Sequence, residues 1–378
     1  MNRFVGIKAL ALAFPRQVRT NDYFREKCAD VLAAAEQKSL NKVWSPQAGD
    51  APAPVDHFND TMRPYLGDPF RGTVERRVVA PGETGLQLET RAVKEALALS
   101  GMTPGDVDLL VVSSFVPEDP GLGNAPFIAR DLGMGAAQAF NIESACSGSL
   151  VSLQTAIAMV QSGQYRNAVV AISCTYSRHT DERDSLGWTC GDGAAAYVVG
   201  PVEEGYGWLG GKLRHTGETC EALYYTIADD EPPERKVQLR SAPTAGKALK
   251  VSSEFSLRTC VQGALISAGV KLSEIDFFVF NTPLAWYTEF CSRTLGIPIE
   301  KTINTYRWYA NTGPALMPTN LFHAAKSGKL KKGDKVLLYT IGSISSAGAA
   351  VIRWGDVALG QDPQAARPAA EVPRLEAA

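Results

Sequence analysis

The sequence lacks paired cysteines, an excess of positive charge and long hydrophobic runs, and each absence excludes a class of protein. Its seven cysteines never form a Cys-x-x-Cys pair, so neither a disulfide framework nor a metal site is predicted. Lys and Arg number 38 against 40 Asp and Glu, which argues against nucleic acid or an anionic membrane as the main partner. No stretch reaches the roughly 18 uninterrupted apolar residues of a membrane span. We therefore expect a cytoplasmic protein with free thiols, no metal and no cofactor.

The rest of the composition is that of a globular enzyme, with 45% apolar and 21% charged residues. Helical patterns alternate with wholly apolar strands at residues 107–113 and 168–173, and this alternation predicts an α/β fold with a parallel sheet between helices. We predict a first strand over residues 4–13 and a helical segment over residues 17–42. A Pro-rich irregular excursion or lid is predicted at about 45–70, and a flexible tail over 357–378.

An internal repeat is the most informative feature of the chain. Asp108 opens one apolar strand and Asp276 opens a similar one, at a separation of 276 − 108 = 168 residues. The helix ends at Gln161 and Lys326 also match, at an offset of 326 − 161 = 165. The repeat predicts two pseudo-symmetric βαβαβ halves, residues 1–205 and 206–356.

The two offsets bring polar residues to equivalent places in the halves. With the 165 offset Cys146 corresponds to Asn311, and with the 168 offset Ser113 corresponds to Asn281. Because ligands of such folds bind at the carboxyl ends of strands and the amino ends of helices, these residues are predicted to converge on one site.

Cys146 is the candidate nucleophile. It lies at a strand-to-helix turn among small residues, where the helix dipole and unpaired N–H groups are expected to lower the pKa of its thiol. The other six cysteines fit the ordinary role of a cysteine as a small buried hydrophobe.

Five segments together resemble β-ketoacyl-acyl-carrier-protein synthase III, a family of thiolase-fold condensing enzymes. They are GTVERRVVAPGET at 72–84, SACSG at 144–148, GDGAAA at 191–196, YANTG at 309–313 and GSISSAG at 342–348. The resemblance implies a duplicated five-layer αβαβα fold, a homodimer and a Cys-His-Asn site. Cys146 matches the family's nucleophile and Asn311 its asparagine, whereas Asn281 stands where the family has a histidine.

The resemblance also implies a reaction. An acyl group moves from a thioester onto the cysteine, a malonyl-type thioester loses carbon dioxide, and the resulting enolate attacks the acyl-enzyme. The oxyanion hole is expected to use the backbone N–H of Cys146 and one from the turn Gly342-Ser343-Ile344. Ile344 replaces a family glycine, so the acyl pocket is expected to be narrower. Phe70 replaces an expected arginine of the coenzyme A clamp, which favours an acyl group bound to acyl carrier protein over one bound to coenzyme A.

Asn281 admits three interpretations. In the first, Asn281 is a hydrogen-bond donor in a modified condensing site of specialised fatty-acid or polyketide biosynthesis. In the second, it indicates an acyltransferase that acts on a hydroxyl or amine. In the third, it is a structural amide in a non-catalytic subunit of a condensing heterocomplex. Among the four histidines, His179 is the one candidate for a surrogate base, because it follows a strand whose carboxyl end is expected to face the site.

Overall fold

The structure, a computed structural model, describes residues 4–43, 56–228 and 236–363. Up to residue 201 the helices and strands are β1 (Val5–Ala13), β2 (Gln17–Thr20), α1 (Asn21–Lys27), α2 (Ala29–Val43), α3 (His57–Met62), β3 (Glu75–Val78), α4 (Gly85–Ser100), β4 (Leu109–Phe115), α5 (Ala125–Leu132), β5 (Gln138–Asn141), α6 (Gly148–Gln161), β6 (Ala168–Thr175), α7 (Ser185–Trp188) and β7 (Asp192–Pro201). Beyond residue 201 they are β8 (Gly207–His215), β9 (Leu223–Ala228), β10 (Lys236–Ser241), α8 (Ala245–Ala268), β11 (Phe277–Phe280), α9 (Tyr287–Leu295), α10 (Tyr306–Tyr309), α11 (Leu316–Lys326), β12 (Lys335–Gly342), β13 (Ser346–Arg353) and β14 (Ala358–Leu359).

Two mixed sheets form the centre of the fold. One has the order β14-β1-β7-β6-β4-β5 and the other β11-β12-β13-β8. Strands β5, β4 and β6 are parallel, as are β11 and β12, whereas β7 and β13 run antiparallel to their neighbours. The prediction of a parallel sheet is therefore wrong for part of each sheet. In the second sheet the cause is the short turn between β12 and β13, because a turn of that length can join only antiparallel strands.

The helices complete five layers, which confirms the predicted αβαβα arrangement. Helices α6 and α11 lie between the two sheets and contact strands of both. Helix α4 covers the outer face of the first sheet and α8 that of the second. The central layer is held by buried apolar side chains of both helices, such as Leu153 and Leu321, which pack against the inner faces of the sheets. None of the helices in the described ranges is long and apolar enough to cross a bilayer.

The two halves repeat the same order of elements around the central layer. A 3-10 turn precedes each central helix, at Ala145–Ser147 before α6 and at Gly313–Ala315 before α11. These turns are 168 residues apart, whereas the helix ends are 165 apart because α6 has 14 residues and α11 has 11. Cys146 therefore corresponds in the fold to Pro314, and the predicted pairing of Cys146 with Asn311 is wrong by three residues.

Three predicted boundaries also change. Residues 17–20 form β2, which pairs with β3, so the predicted helical segment starts only at residue 21. In the predicted irregular excursion, α3 forms because Asp56 caps its first turn and Phe58 packs against Trp286. The predicted flexible tail starts too early, because β14 pairs with β1 and Gly360 donates to the Leu10 carbonyl. Residues 44–55 and 364–378 of these predicted segments lie outside the described residues.

Candidate active site

The turn that presents Cys146 is backbone-strained and tightly packed. Ala145 has a φ of 49°, a left-handed conformation that most side chains avoid, and the chain then enters α6. The backbone of Gly342 lies directly against this turn, since a Cβ on Gly342 would lie 2.9 Å from the Cys146 nitrogen. Only glycine permits that approach, so β12 of the second half ends against the Cys146 turn of the first half.

The Cys146 sulfur has two hydrogen-bond partners. Its Sγ lies 3.4 Å from the Tyr176 hydroxyl, and the Ser343 N–H donates to it. Burial nevertheless raises the pKa of the Cys146 thiol above its ordinary value, because desolvation of a thiolate outweighs these donors. The predicted lowering of this pKa by the helix dipole is therefore wrong, and the resting thiol is neutral at neutral pH.

Gly313 connects the two asparagines to each other, and Asn281 lies against the backbone of Cys146. Its N–H donates to Asn311 Oδ1 at 2.9 Å, and its carbonyl accepts from Asn281 Nδ2 at 3.2 Å. Asn281 Nδ2 also lies 3.5 Å from the Cys146 carbonyl oxygen. The Asn311 backbone is bonded to the first half of the chain through Thr189 and Gly191. The structure thus brings Cys146, Asn281 and Asn311 together where the two halves meet.

The two amide side chains present opposite ends to their surroundings. Gly313 N–H fixes Asn311 Oδ1 as an acceptor, which leaves Nδ2 as the end that can donate to a ligand. Asn281 is fully buried, and because its Nδ2 faces two carbonyl oxygens, its orientation is determined. Its Oδ1 is buried with no hydrogen-bond partner among the described residues. Asn281 therefore offers an unsatisfied acceptor, whereas the first of the three sequence interpretations makes it a donor.

The turn between β12 and β13 has an unusual backbone. Ser343 and Ile344 have φ values of 46° and 67°, and a β-branched residue is a rare occupant of that region. The Ile344 side chain packs in a small buried cluster with Ala222 and Ala245. Its carbonyl accepts from the Thr219 hydroxyl at 2.9 Å. Of the backbone N–H groups on this turn, the one that donates to the Cys146 sulfur is that of Ser343 rather than that of Gly342 or Ile344.

His179 makes its contacts with the hairpin of β9 and β10. Its Nδ1 lies 2.9 Å from the Val237 carbonyl oxygen, and its ring packs edge-on against Tyr225. Burial lowers the pKa of His179, so the ring is neutral at neutral pH. No contact between His179 and Cys146 is recorded, and its predicted role as a surrogate base gains no support from this position.

Phe70 lies in a buried aromatic cluster rather than at an open surface. It packs near Phe24 and Trp188, and the Arg76 guanidinium lies 4.7 Å from the Phe24 ring centre. The Arg76 side chain also donates to the Trp188 carbonyl. At this position the chain therefore presents packed apolar side chains where the resemblance leads one to expect a basic clamp.

Sequence interpretation assigned no role to two residues of the site, Tyr176 and Gly313. Gly313 lies inside the segment YANTG, so the motif contained the signal. Tyr176 follows the apolar strand β6 and looks like an ordinary core aromatic, so only the three-dimensional packing reveals it. In the parts of the chain that the structure describes, no group of three or more His, Cys, Asp or Glu side chains could hold a metal ion.

Comparison with protein-family models identifies two adjacent matches. Residues 140–217 match the model of 3-oxoacyl-[acyl-carrier-protein] synthase III, and residues 265–354 match that of its C-terminal part. The β-ketoacyl-[acyl-carrier-protein] synthase III of Rhizobium meliloti strain 1021 is 30% identical over 75% of this chain and 88% of its own length. That of Microcystis aeruginosa strain NIES-843 is 32% identical over 71% and 83%.

Solved structures of similar proteins have the same fold. The 3-oxoacyl-[acyl-carrier-protein] synthase III of Aquifex aeolicus superposes with a TM-score of 0.73 at 26% identity, covering 93% of this chain and 100% of that one. The corresponding enzyme of Thermus thermophilus gives a TM-score of 0.74 at 26% identity, covering 93% and 99%.

Proposed function

The chain belongs to the β-ketoacyl-[acyl-carrier-protein] synthase III family and is a condensing enzyme, and we propose that it joins an acyl group held on Cys146 to a malonyl-type unit. The observation on which the proposal depends is the position of Cys146 Sγ at the start of α6. There it lies between Tyr176 and the Ser343 N–H, while Asn281 lies against the Cys146 carbonyl and shares Gly313 with Asn311.

The first step is acyl transfer to Cys146. Its Sγ forms a bond to the thioester carbonyl carbon, the bond from that carbon to the carrier sulfur breaks, and the thiol proton ends on the released carrier thiol. The Ser343 N–H hydrogen-bonds the Cys146 sulfur in the resting protein, and together with the Cys146 N–H it is assigned to stabilise the oxyanion that develops beside that sulfur. This step is slowest at acid and neutral pH, because the resting thiol is protonated.

The second step is decarboxylation of the malonyl-type thioester. Breaking the bond to the carboxylate releases carbon dioxide and leaves an enolate, which then attacks the acyl-enzyme carbonyl and expels Cys146. No base is needed, but the enolate oxygen requires donors. Asn311 Nδ2 is the side-chain donor we assign, because its Oδ1 is already fixed by the Gly313 N–H. The Asn281 amide supports Gly313 and the Cys146 carbonyl in this scheme.

The carrier is proposed to be acyl carrier protein rather than coenzyme A. Phe70 supports this choice, because a buried phenyl ring stands where the resemblance leads one to expect an arginine, and the ring itself offers no charge to a nucleotide phosphate. A homodimer, as in the family, is part of the same proposal, as is a role in specialised fatty-acid or polyketide biosynthesis.

A second candidate is acyl transfer from Cys146 to a hydroxyl or amine. The unsatisfied Asn281 Oδ1 favours it, because a buried acceptor beside the acyl-enzyme can bind an O–H or N–H of the incoming group. The chemistry then ends in an ester or amide, with no loss of carbon dioxide.

Carbon dioxide release separates the two candidates. The protein is incubated with acyl-loaded carrier and carboxyl-labelled malonyl carrier, and both label release and the 3-oxoacyl product are measured. Condensation predicts equal amounts of each. An ester or amide product without label release would replace condensation with the second candidate.

A further inference from the structure

Tyr176 is held against the nucleophile by packing on several sides. It starts the 3-10 turn Tyr176–Arg178 after β6 and is only 4% exposed. Its ring meets Phe115 edge-on, with centroids 5.6 Å apart. On another side lies Gly313, whose Cβ, if it had one, would be 3.4 Å from the Tyr176 ring. The side chain therefore has little freedom to move its hydroxyl away from the sulfur.

The next residue anchors the same turn to a buried carboxylate. Asp192, at the start of β7, accepts from the Ser177 N–H at 2.9 Å and from the Ser177 hydroxyl. The same carboxylate accepts from the Val79 N–H at 2.8 Å. The three hydrogen bonds fix the backbone next to Tyr176. The 3.4 Å separation of the Tyr176 hydroxyl from Cys146 Sγ is therefore set by the surrounding structure.

From this geometry we infer that Tyr176 is a catalytic residue, whose hydroxyl donates a hydrogen bond to the Cys146 thiolate and so supplies part of the stabilisation that a histidine would give. A phenol can donate to a thiolate but cannot accept and hold its proton. Tyr176 thus assists formation of the nucleophile without acting as a base. The inference rests on the proposed role of Cys146 as the acyl-accepting residue.

The other titratable groups that face this pair are the thiols of Cys174 and Cys190 and the phenol of Tyr225. Burial raises the pKa of each, so all three stay uncharged at neutral pH. Asp192 faces the two thiols, and burial raises its pKa to about 6. Above that pH Glu143, which faces Tyr225 and whose pKa is raised to about 8 by burial, still ionises, and it does so in wild type and variants alike.

The Tyr176→Phe variant tests the inference because it removes only the hydroxyl. Alkylation of Cys146 by iodoacetamide is followed by peptide mass spectrometry between about pH 7 and about pH 10.5, above the range in which Asp192 titrates. Loss of one hydrogen bond to the thiolate corresponds to roughly one pKa unit, which lowers the thiolate fraction about tenfold below the midpoint. A more basic thiolate is also more nucleophilic, with a Brønsted slope of about 0.4–0.5, so each thiolate reacts about threefold faster.

The expected result is a pair of profiles whose rate ratio changes with pH. Tyr176→Phe reacts about threefold more slowly than wild type well below the midpoint, and this deficit shrinks as the pH rises and the wild-type thiol approaches full ionisation. Tyr225→Phe is the matched control, because its ring belongs to the same aromatic stack and its hydroxyl has no partner among the described residues. Exposed Cys220 serves as the internal reference for the reagent in every sample.

An unshifted profile in Tyr176→Phe would overturn the inference, and so would the same shift in Tyr225→Phe. A loss of rate by the same factor at every pH would mean that the hydroxyl merely supports packing, which also overturns it. The result is separable from the proposed function, whose failure shows as wild-type protein that takes no acyl group from any carrier, whatever its alkylation profile.

Discussion

Replacing Asn281 with histidine would give Cys146 a partner that can take its proton. Asn281 is wholly buried, and its Nδ2 already lies against the Cys146 carbonyl. An imidazole at the same strand end would lie close enough to the sulfur to form a thiolate–imidazolium pair. Cysteines paired in this way have pKa values of about 7 or lower.

The magnitude follows from the thiolate fraction. Burial holds the pKa of Cys146 above its ordinary value, so the thiolate amounts to about 1% or less at pH 7. A pKa of about 7 raises this to about one half, a gain of about fiftyfold. The nucleophilicity of a thiolate falls with the pKa of its thiol, with a Brønsted slope of about 0.4–0.5, so each thiolate reacts about eightfold more slowly. Asn281→His should therefore accelerate alkylation of Cys146 at pH 7 by about sixfold.

The assay is iodoacetamide alkylation at pH 7, with the modified peptide quantified by mass spectrometry. Asn281→Gln is the matched control, since glutamine is close to histidine in size but cannot ionise. Thermal unfolding checks that both variants fold. An unchanged rate in folded Asn281→His, or an equal gain in Asn281→Gln, would refute the reasoning about the missing imidazole.

Three further predictions concern residues around the site and in the core. Gly313→Ala should lower the free energy of unfolding by about 2–4 kcal/mol in urea titrations, because its φ is 55° and a Cβ would lie 2.9 Å from Cys174 Sγ. Burial raises the pKa of Glu89 to about 7, so the stability it contributes is complete below the unfolded carboxyl pKa and is lost as pH rises to about 7. In the wild type the free energy of unfolding should therefore fall by roughly 2–3 kcal/mol between about pH 4.5 and pH 7, and in Glu89→Gln this decrease should be absent. Ile344→Gly relieves a strained φ of 67° and removes a buried side chain, and should extend the range of acyl lengths that Cys146 accepts from thioesters in intact-mass assays.

Each of these has its own control or contrary outcome. Gly328→Ala has φ strain but open space around its Cβ, so it should cost only about 1–2 kcal/mol, and an equal loss in both glycine variants would remove the packing argument. Identical pH profiles of stability for wild type and Glu89→Gln would contradict the assigned titration. An unchanged acyl preference in Ile344→Gly would mean that Ile344 does not limit the pocket.

Local signals in the sequence were sufficient for most of the fold. Both ends of helix α4 are indicated by the sequence: Thr84 and Gln87 form a capping box at its start, and Gly101 adopts a left-handed conformation after its last residue. The apolar strands β4 and β6 are equally clear. Strands β2 and β14 could not be recognised in the sequence, because β2 is mostly exposed and β14 has only two residues. Both form by pairing with strands that are distant in the chain.

The site was predictable where a motif marked it and unpredictable where the chemistry depends on packing. Cys146 followed from its strand-to-helix turn and the resemblance, and Asn281 from the 168 offset and the resemblance. Asn311 followed from the resemblance alone, because the offset that pointed to it was wrong. The orientation of the Asn281 amide depends on two carbonyls, those of Cys146 and Gly313, whose positions no pattern reveals. The raised pKa of the Cys146 thiol likewise reflects its burial between the two halves. The position of Cys146 at the start of a helix does not reveal that burial.

The most direct test of the account is intact-mass measurement of wild type and Cys146→Ala after incubation with a panel of acyl-loaded carrier proteins. The account predicts an acyl adduct on the wild type that peptide mapping places on Cys146, and no adduct on the variant. Wild-type protein that stays unmodified, or a label that persists in Cys146→Ala, would contradict it.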